Sequence, residues 1–124
     1  MPKAIKITAG QIQVAAELND SPTAKSIFDA LPIKTKGSRW GGEIYFSIPV
    51  EVELEADSRD VLEAGELGYW PTGCAFCIFF GPTPASEADE IRAASAVNII
   101  GTIKGDLSQL PNVPDGALVC IEAD

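Results

Sequence analysis

Histidine is absent from the sequence, which also holds only three cysteines, one methionine and no long apolar run. Without histidine, the commonest general base, the commonest zinc ligand and every Ser-His or Cys-His nucleophile arrangement are excluded. Because no run of about 18 apolar residues is present, there is no candidate transmembrane helix. The first residues, MPKAIKITAG, alternate in polarity, whereas a signal peptide places a basic end before an apolar block. We therefore expect a soluble, cytoplasmic protein.

Basic residues are few as well, since nine lysines and arginines stand against eighteen aspartates and glutamates, a net charge of −9. Nucleic-acid binding depends on clustered Lys and Arg, and the acidic segment VEVELEADSRD has no basic patch beside it. The same repulsion disfavours an anionic membrane surface. We therefore predict that neither nucleic acid nor a membrane is a partner, although the charge identifies no substrate.

The length and apolar content are those of one ordinary domain. With 124 residues, 46% of them hydrophobic, the chain can build one buried core without disulfide or metal crosslinks. Three cysteines in a chain without a signal segment are expected to be structural thiols in a reducing compartment. We expect one domain over residues 1–124, without a metal or a cofactor.

Two local patterns near the N-terminus predict a hairpin and a helix. Residues 5 to 18 alternate in polarity around Ala9-Gly10, which is typical of a β-hairpin. A helix over 22 to 31 follows, with Ser21 as its cap and a proline at its first position. The apolar residues of this helix recur at helical spacing: Ala24, Ile27, Phe28 and Leu31.

The rest of the chain has the composition of short strands separated by Gly and Pro. EIYFSIP predicts a strand, and VEVEL predicts another, whose glutamates form one solvated face. Ser86 begins a capping box, which predicts a short helix or turn over 87 to 94. Further strands are predicted over 67–71, 76–80, 97–104 and 117–122. This order predicts a mainly β fold, a closed barrel or a sandwich, capped by helices.

Several segments resemble the cyclophilins. VAAELNDSPTAKSIFDALP, GCAFCIFF and VNIIGTIKGDL are similar, in this order, to cyclophilin segments. More closely, WGGEIYFSIPV, GYWPTGCAFCIFFGPTP and ASAVNIIG resemble small, largely uncharacterised cyclophilin-like domains of bacteria and archaea. The resemblance covers nearly the whole chain. It implies a closed eight-stranded β-barrel with one or two capping helices.

The residues that carry prolyl isomerisation in cyclophilins are not matched. Cyclophilins place an arginine two residues before an Ile-Pro-like step, and alignment on Ile48-Pro49 puts Phe46 there. The aromatic of the proline pocket falls near Cys77, the following tryptophan near Arg92 and the auxiliary histidine near Val97. The resemblance therefore implies a binding domain that lacks the isomerase arginine. A peptidyl-prolyl isomerase with a divergent active site is the alternative.

Aromatic side chains cluster in the segments that would border the groove, which suits a small apolar or planar molecule or a peptide. Each of them is as readily explained as core, because a barrel of this size needs large side chains inside. Trp70 is the best candidate, since Pro71 favours an extended conformation for it at a strand end. The candidate ligand-binding residues are Trp40, Glu43, Tyr45, Phe46, Tyr69, Trp70, Cys77, Phe79 and Arg92.

Glu43 stands among apolar neighbours and has two interpretations. Buried, with a raised pKa, it would orient a ligand or accept a proton. A salt bridge to Arg39 or to a lysine is the interpretation that the usual behaviour of charged residues favours.

The C-A-F-C spacing of Cys74 and Cys77 suggests a dithiol redox centre or half of a zinc site. It runs straight into the β-rich string IFFG, and residues three apart on a regular strand face opposite sides. We therefore disfavour a redox or metal function. A subunit that acts by association is a further alternative, with a homodimer formed through exposed strand edges or apolar rims.

Overall fold

The computed structural model describes residues 2–124, which form one antiparallel sheet of ten strands with one α-helix. The elements are β1 (Lys3–Ala9), β2 (Ile12–Leu18), α1 (Pro22–Asp29), β3 (Ile33–Lys36), β4 (Ser38–Arg39), β5 (Glu43–Ser47), β6 (Arg59–Leu62), β7 (Glu66–Trp70), β8 (Ala75–Phe79), β9 (Ile91–Lys104) and β10 (Leu118–Ala123). Two 3-10 helical turns lie at Pro71–Gly73 and Leu110–Asn112. The prediction of a mainly β fold is confirmed.

The sheet is open, and the predicted closed eight-stranded barrel is wrong. Hydrogen bonds connect the strands in the order β3-β10-β1-β2-β9-β7-β8-β5-β4, with β6 paired to β9 outside this path. The path ends at β3 and β4, which do not pair with each other. Only Gly37 separates these two strands, so they continue one another along the chain and cannot fold back to form a ladder.

The predicted N-terminal hairpin is confirmed. β1 and β2 pair from Lys3 opposite Leu18 to Ala9 opposite Ile12, which leaves a two-residue turn. Gly10 takes a φ of 61° in this turn, a conformation that glycine adopts at little cost. The hairpin contributes one face of alternate apolar residues to the core.

The predicted helix over 22 to 31 is confirmed, although α1 ends two residues earlier. The Ser21 hydroxyl accepts a hydrogen bond from the Ala24 N–H at 3.2 Å, and Pro22 occupies the first turn. Ala24 and Ile27 are fully buried, so the apolar face packs on the sheet. Among residues 2–124, no helix has the length and apolarity needed to cross a membrane.

The strand predicted for VEVEL is wrong, because residues 51–55 form no strand. A buried polar network holds this segment instead. The Asn98 side-chain amide donates to the Thr23 hydroxyl at 3.0 Å and to the Glu53 carbonyl at 2.9 Å, and it accepts from the Glu55 N–H at 2.7 Å. The Glu55 carboxylate in turn accepts from the Thr23 hydroxyl and from the Thr23 N–H at 3.0 Å. Polar contacts with α1 and β9 therefore override the alternating pattern.

The short helix or turn predicted over 87 to 94 is a turn at residues 88–89, with no helix, and the strand β9 begins at Ile91. The Ser86 hydroxyl does not cap a helix. It accepts from the Thr83 N–H at 2.9 Å and from the Arg92 N–H at 3.0 Å, which fixes the loop against the start of β9. The short strands β3, β4 and β6 were not predicted.

The 14-residue β9 connects the regions of the sheet, since it pairs with β2, β6 and β7. Gly101 is required where β9 crosses β2. A Cβ atom at this position would lie 2.0 Å from the Glu17 carbonyl oxygen. The close backbone approach therefore depends on the missing side chain.

Both faces of β8 are buried, each in a different apolar layer. Phe76 and Ile78 belong to the main core, where Phe76 stacks on Phe46 with ring centroids 5.2 Å apart. Ala75, Cys77 and Phe79 belong to a smaller layer on the other face of the sheet. The alternation predicted for this strand is confirmed, and the smaller layer forms the base of the site described below.

The Asn98→Ala variant should be destabilised by about 3 kcal/mol, because it leaves the Glu55 N–H and the Glu53 carbonyl without their buried partner. Urea denaturation followed by circular dichroism measures this change. Gln13→Ala removes one long hydrogen bond from an exposed amide and serves as the control, with an expected change below about 0.5 kcal/mol. Similar stabilities for the two variants would contradict the role assigned to Asn98.

Candidate ligand-binding site

A cavity of about 280 Å³ lies over the smaller apolar layer. Its walls come from the turn before β5, from β5 itself, from the end of β7 and from the first half of β9. Most of the wall is apolar, and it contains a single ionisable carboxyl group. The lining residues are Trp40, Glu43, Tyr45, Trp70, Ala93, Ala94 and Val97.

Trp40 is placed by a close contact between two glycine-containing loops. The Gly42 N–H donates to the Pro82 carbonyl at 2.7 Å, and the Phe80 N–H donates to the Gly42 carbonyl at 2.8 Å. A Cβ at Gly42 would lie 2.2 Å from the Gly81 carbonyl carbon. Because backbone meets backbone here, only glycine fits, and the turn that carries Trp40 is held against the loop after β8.

Glu43 and Tyr45 reach the cavity through the two-residue period of β5. Ile44 and Phe46, between and after them, point to the main core. In the ladder with β8, Glu43 lies opposite Phe79 and Tyr45 lies opposite Cys77. The polar and aromatic wall therefore stands directly on the smaller apolar layer.

Trp70 stands at the rim in the extended conformation predicted from the following proline, with φ −102° and ψ 105°. Its indole N–H donates to the Ser95 hydroxyl of β9 at 2.6 Å. The ring also covers Gly73, where a Cβ atom would lie 3.0 Å from the indole carbons. Two contacts thus fix the orientation of this tryptophan before any ligand binds.

Gly68 gives the floor of the cavity its shape. A Cβ at this position would lie 2.7 Å from a Val97 methyl carbon and 3.2 Å from the Phe79 ring. Because Gly68 has no Cβ atom, the side chains of Val97 and Phe79 can pack over the β7 backbone. Phe79 and Cys77 are almost completely buried in this layer, so they support the lining residues instead of forming the wall themselves.

Glu43 is buried, with a relative exposure of 6%. Burial raises its pKa to about 7, and a hydrogen bond with Cys77 offsets a part of this rise. Burial, and then the charge of Glu43, raises the pKa of the Cys77 thiol well above its ordinary value. The thiol therefore stays neutral, and Glu43 changes its protonation near neutral pH.

The salt bridge predicted for Glu43 is wrong, because no lysine or arginine of residues 2–124 pairs with it. Arg39 is engaged elsewhere. Its guanidinium donates to the carbonyls of Gly41 and Val113, each at 2.8 Å, and lies 5.1 Å from the centroid of the Phe80 ring. The other interpretation, a buried carboxyl with a raised pKa, is the one that the structure supports.

Three candidates from the sequence lie away from the cavity. Phe46 is part of the main core, and so is Tyr69, whose hydroxyl donates to the Val50 carbonyl at 2.5 Å. Arg92 forms ion pairs with Glu90 at 2.7 Å and with Asp60 at 2.8 Å. None of the three lines the cavity.

Sequence reasoning missed Ala93 and Ala94 as lining residues, because the capping-box pattern assigned them to a short helix or turn. It named Val97 only as the counterpart of a cyclophilin histidine. The sequence held one signal for Ala93 and Ala94, which is that they lie just before the strand predicted over 97–104. A prediction that this strand begins earlier would have placed them at the cavity.

The two cysteines of the C-A-F-C stretch face opposite layers, as predicted. Cys74 takes a left-handed conformation with a φ of 47° and packs against the main core, whereas Cys77 lies in the smaller layer. Both are free thiols. Within residues 2–124, no three histidine, cysteine, aspartate or glutamate side chains are grouped to hold a metal ion.

Comparison with known proteins gives the same family as the segments quoted above. The cyclophilin-like family model matches residues 3–122. A hypothetical protein of Archaeoglobus fulgidus, whose structure was determined in solution, is 44% identical in sequence, with a TM-score of 0.85. The match covers 99% of this chain and 95% of the archaeal protein. No curated protein matches. The chain belongs to the cyclophilin-like family.

Proposed function

We propose that the protein is a binding module, which takes a small, largely apolar ligand or a peptide side chain into the cavity over the smaller layer. The observation that carries this proposal is the wall itself. Trp40, Tyr45 and Trp70 surround a concave space next to the buried Glu43, which forms no ion pair with a lysine or arginine of residues 2–124. Rigid aromatic side chains offer a large contact area at a low entropic cost, and a single polar group can fix the orientation of the ligand.

The site is formed before a ligand arrives, which favours binding. Trp70 is held by Ser95, and the turn of Trp40 is held by the glycine contacts at Gly42. A ligand therefore does not have to order the walls when it enters, so less of its interaction energy is lost to immobilisation. The volume of about 280 Å³ suits a small molecule or one side chain.

Prolyl isomerisation receives less support from the same geometry. An isomerase of the cyclophilin kind needs a guanidinium group near the prolyl nitrogen, and Phe46 at the matching position is core. Arg39 and Arg92 are engaged as described above, and the Arg59 guanidinium forms a bidentate pair with Glu66 at 2.7 and 2.9 Å. None of these arginines lines the cavity. Without such a donor the twisted amide would lose a large share of its stabilisation.

The protonation of Glu43 is linked to stability. Its pKa in the folded protein, about 7, lies above its ordinary value of 4.5. The folded state therefore holds this proton more tightly than the unfolded state does. The resulting stabilisation is fully present below about pH 4.5 and is lost as the pH rises to about 7. Above that pH the empty site carries the cost of a buried, unpaired charge.

Fragment binding tests the cavity directly, since both tryptophans of the chain line it and report on it by fluorescence. A library of small aromatic and aliphatic fragments should yield binders that alter this emission. Ala94→Phe places a ring in the cavity and should weaken binding of these fragments by about tenfold or more. Ala15→Phe alters an exposed alanine of β2 and is the matched control. Equal binding by the two variants would contradict the assignment.

A protease-coupled assay with a prolyl peptide tests the isomerase alternative. We expect no acceleration of cis-trans isomerisation above the slow uncatalysed rate, because no arginine of the described residues 2–124 lines the cavity. The assay uses the wild-type protein at micromolar concentration, with an authentic cyclophilin as the positive control. Acceleration that Ala94→Phe abolishes would reject the binding-only role.

Glu43→Gln should change the pH dependence of stability. The amide is neutral at every pH, so the variant avoids the ionisation cost that wild type meets as the pH rises from about 4.5 to 7. The difference in unfolding free energy, variant minus wild type, should grow by roughly 2–3 kcal/mol between about pH 4.5 and pH 8.5. Urea titrations at several pH values measure it, with Glu17→Gln on β2 as the control. A constant difference would show that Glu43 has an ordinary pKa.

A further inference from the structure

The wall of the cavity combines three electron-rich ring systems with one carboxyl group. Trp40 comes from the turn before β5, Tyr45 from β5 and Trp70 from the end of β7, so the rings approach the space from three different elements. The remaining wall is aliphatic, from Ala93, Ala94 and Val97. No lysine or arginine lines this cavity within residues 2–124. The carboxyl group and the ring faces therefore favour a positive charge in this cavity, and no basic side chain opposes it.

We propose that the ligand presents an alkylammonium group, which the faces of Trp40, Tyr45 and Trp70 surround and for which Glu43 is the counter-ion. This inference rests on the proposed binding function and specifies its ligand. Aromatic faces attract cations through the ring quadrupole, and tryptophan does so most strongly. A quaternary or substituted ammonium group also has an apolar surface, which matches the aliphatic part of the wall.

Because Glu43 is buried, a bound cation stabilises its ionised carboxyl group. Glu43 has a relative exposure of 6%, and its carboxyl group has a hydrogen bond with the thiol of Cys77. A neutral thiol compensates a buried carboxylate poorly, because it is a weak donor. A cation in the cavity supplies the opposite charge that no lysine or arginine among residues 2–124 provides. The cost of burying Glu43 is then offset only in the complex.

The titratable groups around Glu43 are neutral or paired, so the Glu43 carboxylate is the charge that a ligand in the cavity contacts. Cys77 of β8 faces Glu43 and stays a neutral thiol, and Tyr45 stands beside it on β5. Arg92 of β9 is next in sequence to the lining residue Ala93, but its guanidinium is neutralised by Glu90 and Asp60. The net charge of the chain, −9, adds a long-range attraction for cations and a repulsion for anions.

Binding of a permanent cation should be coupled to proton release. The cation stabilises the ionised form of Glu43, which is the minor form below about pH 7 in the empty site. Affinity should therefore rise with pH up to about pH 7 and change little above it. A neutral ligand of the same shape should show no such rise, since it interacts equally well with both forms.

Choline and 3,3-dimethylbutan-1-ol test the inference, because they have the same shape and differ in charge at one atom. Tryptophan fluorescence and calorimetry at about pH 8 give both affinities for the intact chain. Wild type should bind choline at least about tenfold more tightly than the alcohol. Glu43→Gln should weaken choline binding by about 30-fold and leave the affinity for the alcohol within about threefold. Glu17→Gln, which removes a carboxylate from β2, should change neither.

A second variant separates the rings from the carboxylate. Tyr45→Leu keeps an apolar wall on β5 but removes one ring, and it should weaken choline binding by about fivefold with little effect on the alcohol. Equal affinity of wild type for the two compounds would overturn the alkylammonium ligand while the cavity remains a binding site. No choline binding at all would also overturn it, whereas the fragment screen decides separately on the cavity. Choline binding that Glu43→Gln leaves unchanged would reject the counter-ion role.

Discussion

The burial of both faces of β8 is the constraint on which the rest of this structure depends. A strand whose side chains are apolar on both sides needs a cover on each, or it exposes a large hydrophobic patch. The main core covers one face. The other face is covered by the smaller layer, to which β6 and the first half of β9 contribute. The cavity lies where this second cover leaves Trp40, Tyr45 and Trp70 facing an open space.

Close backbone approaches give this second layer its shape. Gly42 brings the turn of Trp40 against the loop after β8, and Gly68 lets Val97 and Phe79 pack over β7. In both places an added Cβ would overlap its neighbours. The cavity is therefore not a packing defect that a small shift would close. Its walls are fixed by contacts that only glycine permits, and a site built in this way keeps its geometry in the absence of a ligand.

Local patterns predicted those parts of the fold that local physics determines. The hairpin of β1 and β2, the capped helix α1 and the alternating faces of β8 each follow from spacing, caps and turns. The predictions failed where contacts between residues far apart in the sequence determine the local structure. Asn98 holds residues 51–55 away from a strand, and Ser86 serves a loop and β9 instead of a helix. The closed barrel was inferred from family resemblance, and strand pairing at the two ends of the sheet is a long-range property that composition does not contain.

The candidate site likewise has features that local sequence patterns predict and features that depend on long-range contacts. Sequence identified the aromatic wall through Trp40, Tyr45 and Trp70, because strand ends and the proline after Trp70 place these side chains at a rim. The sequence could not decide whether Glu43 forms a salt bridge or stays without one, since this depends on where Arg39 and the lysines lie in space. The usual expectation of a salt bridge fails because backbone carbonyls occupy Arg39. A carboxyl group left without a cation costs stability at neutral pH, and its position beside three aromatic rings is explained best by a cation that arrives with the ligand.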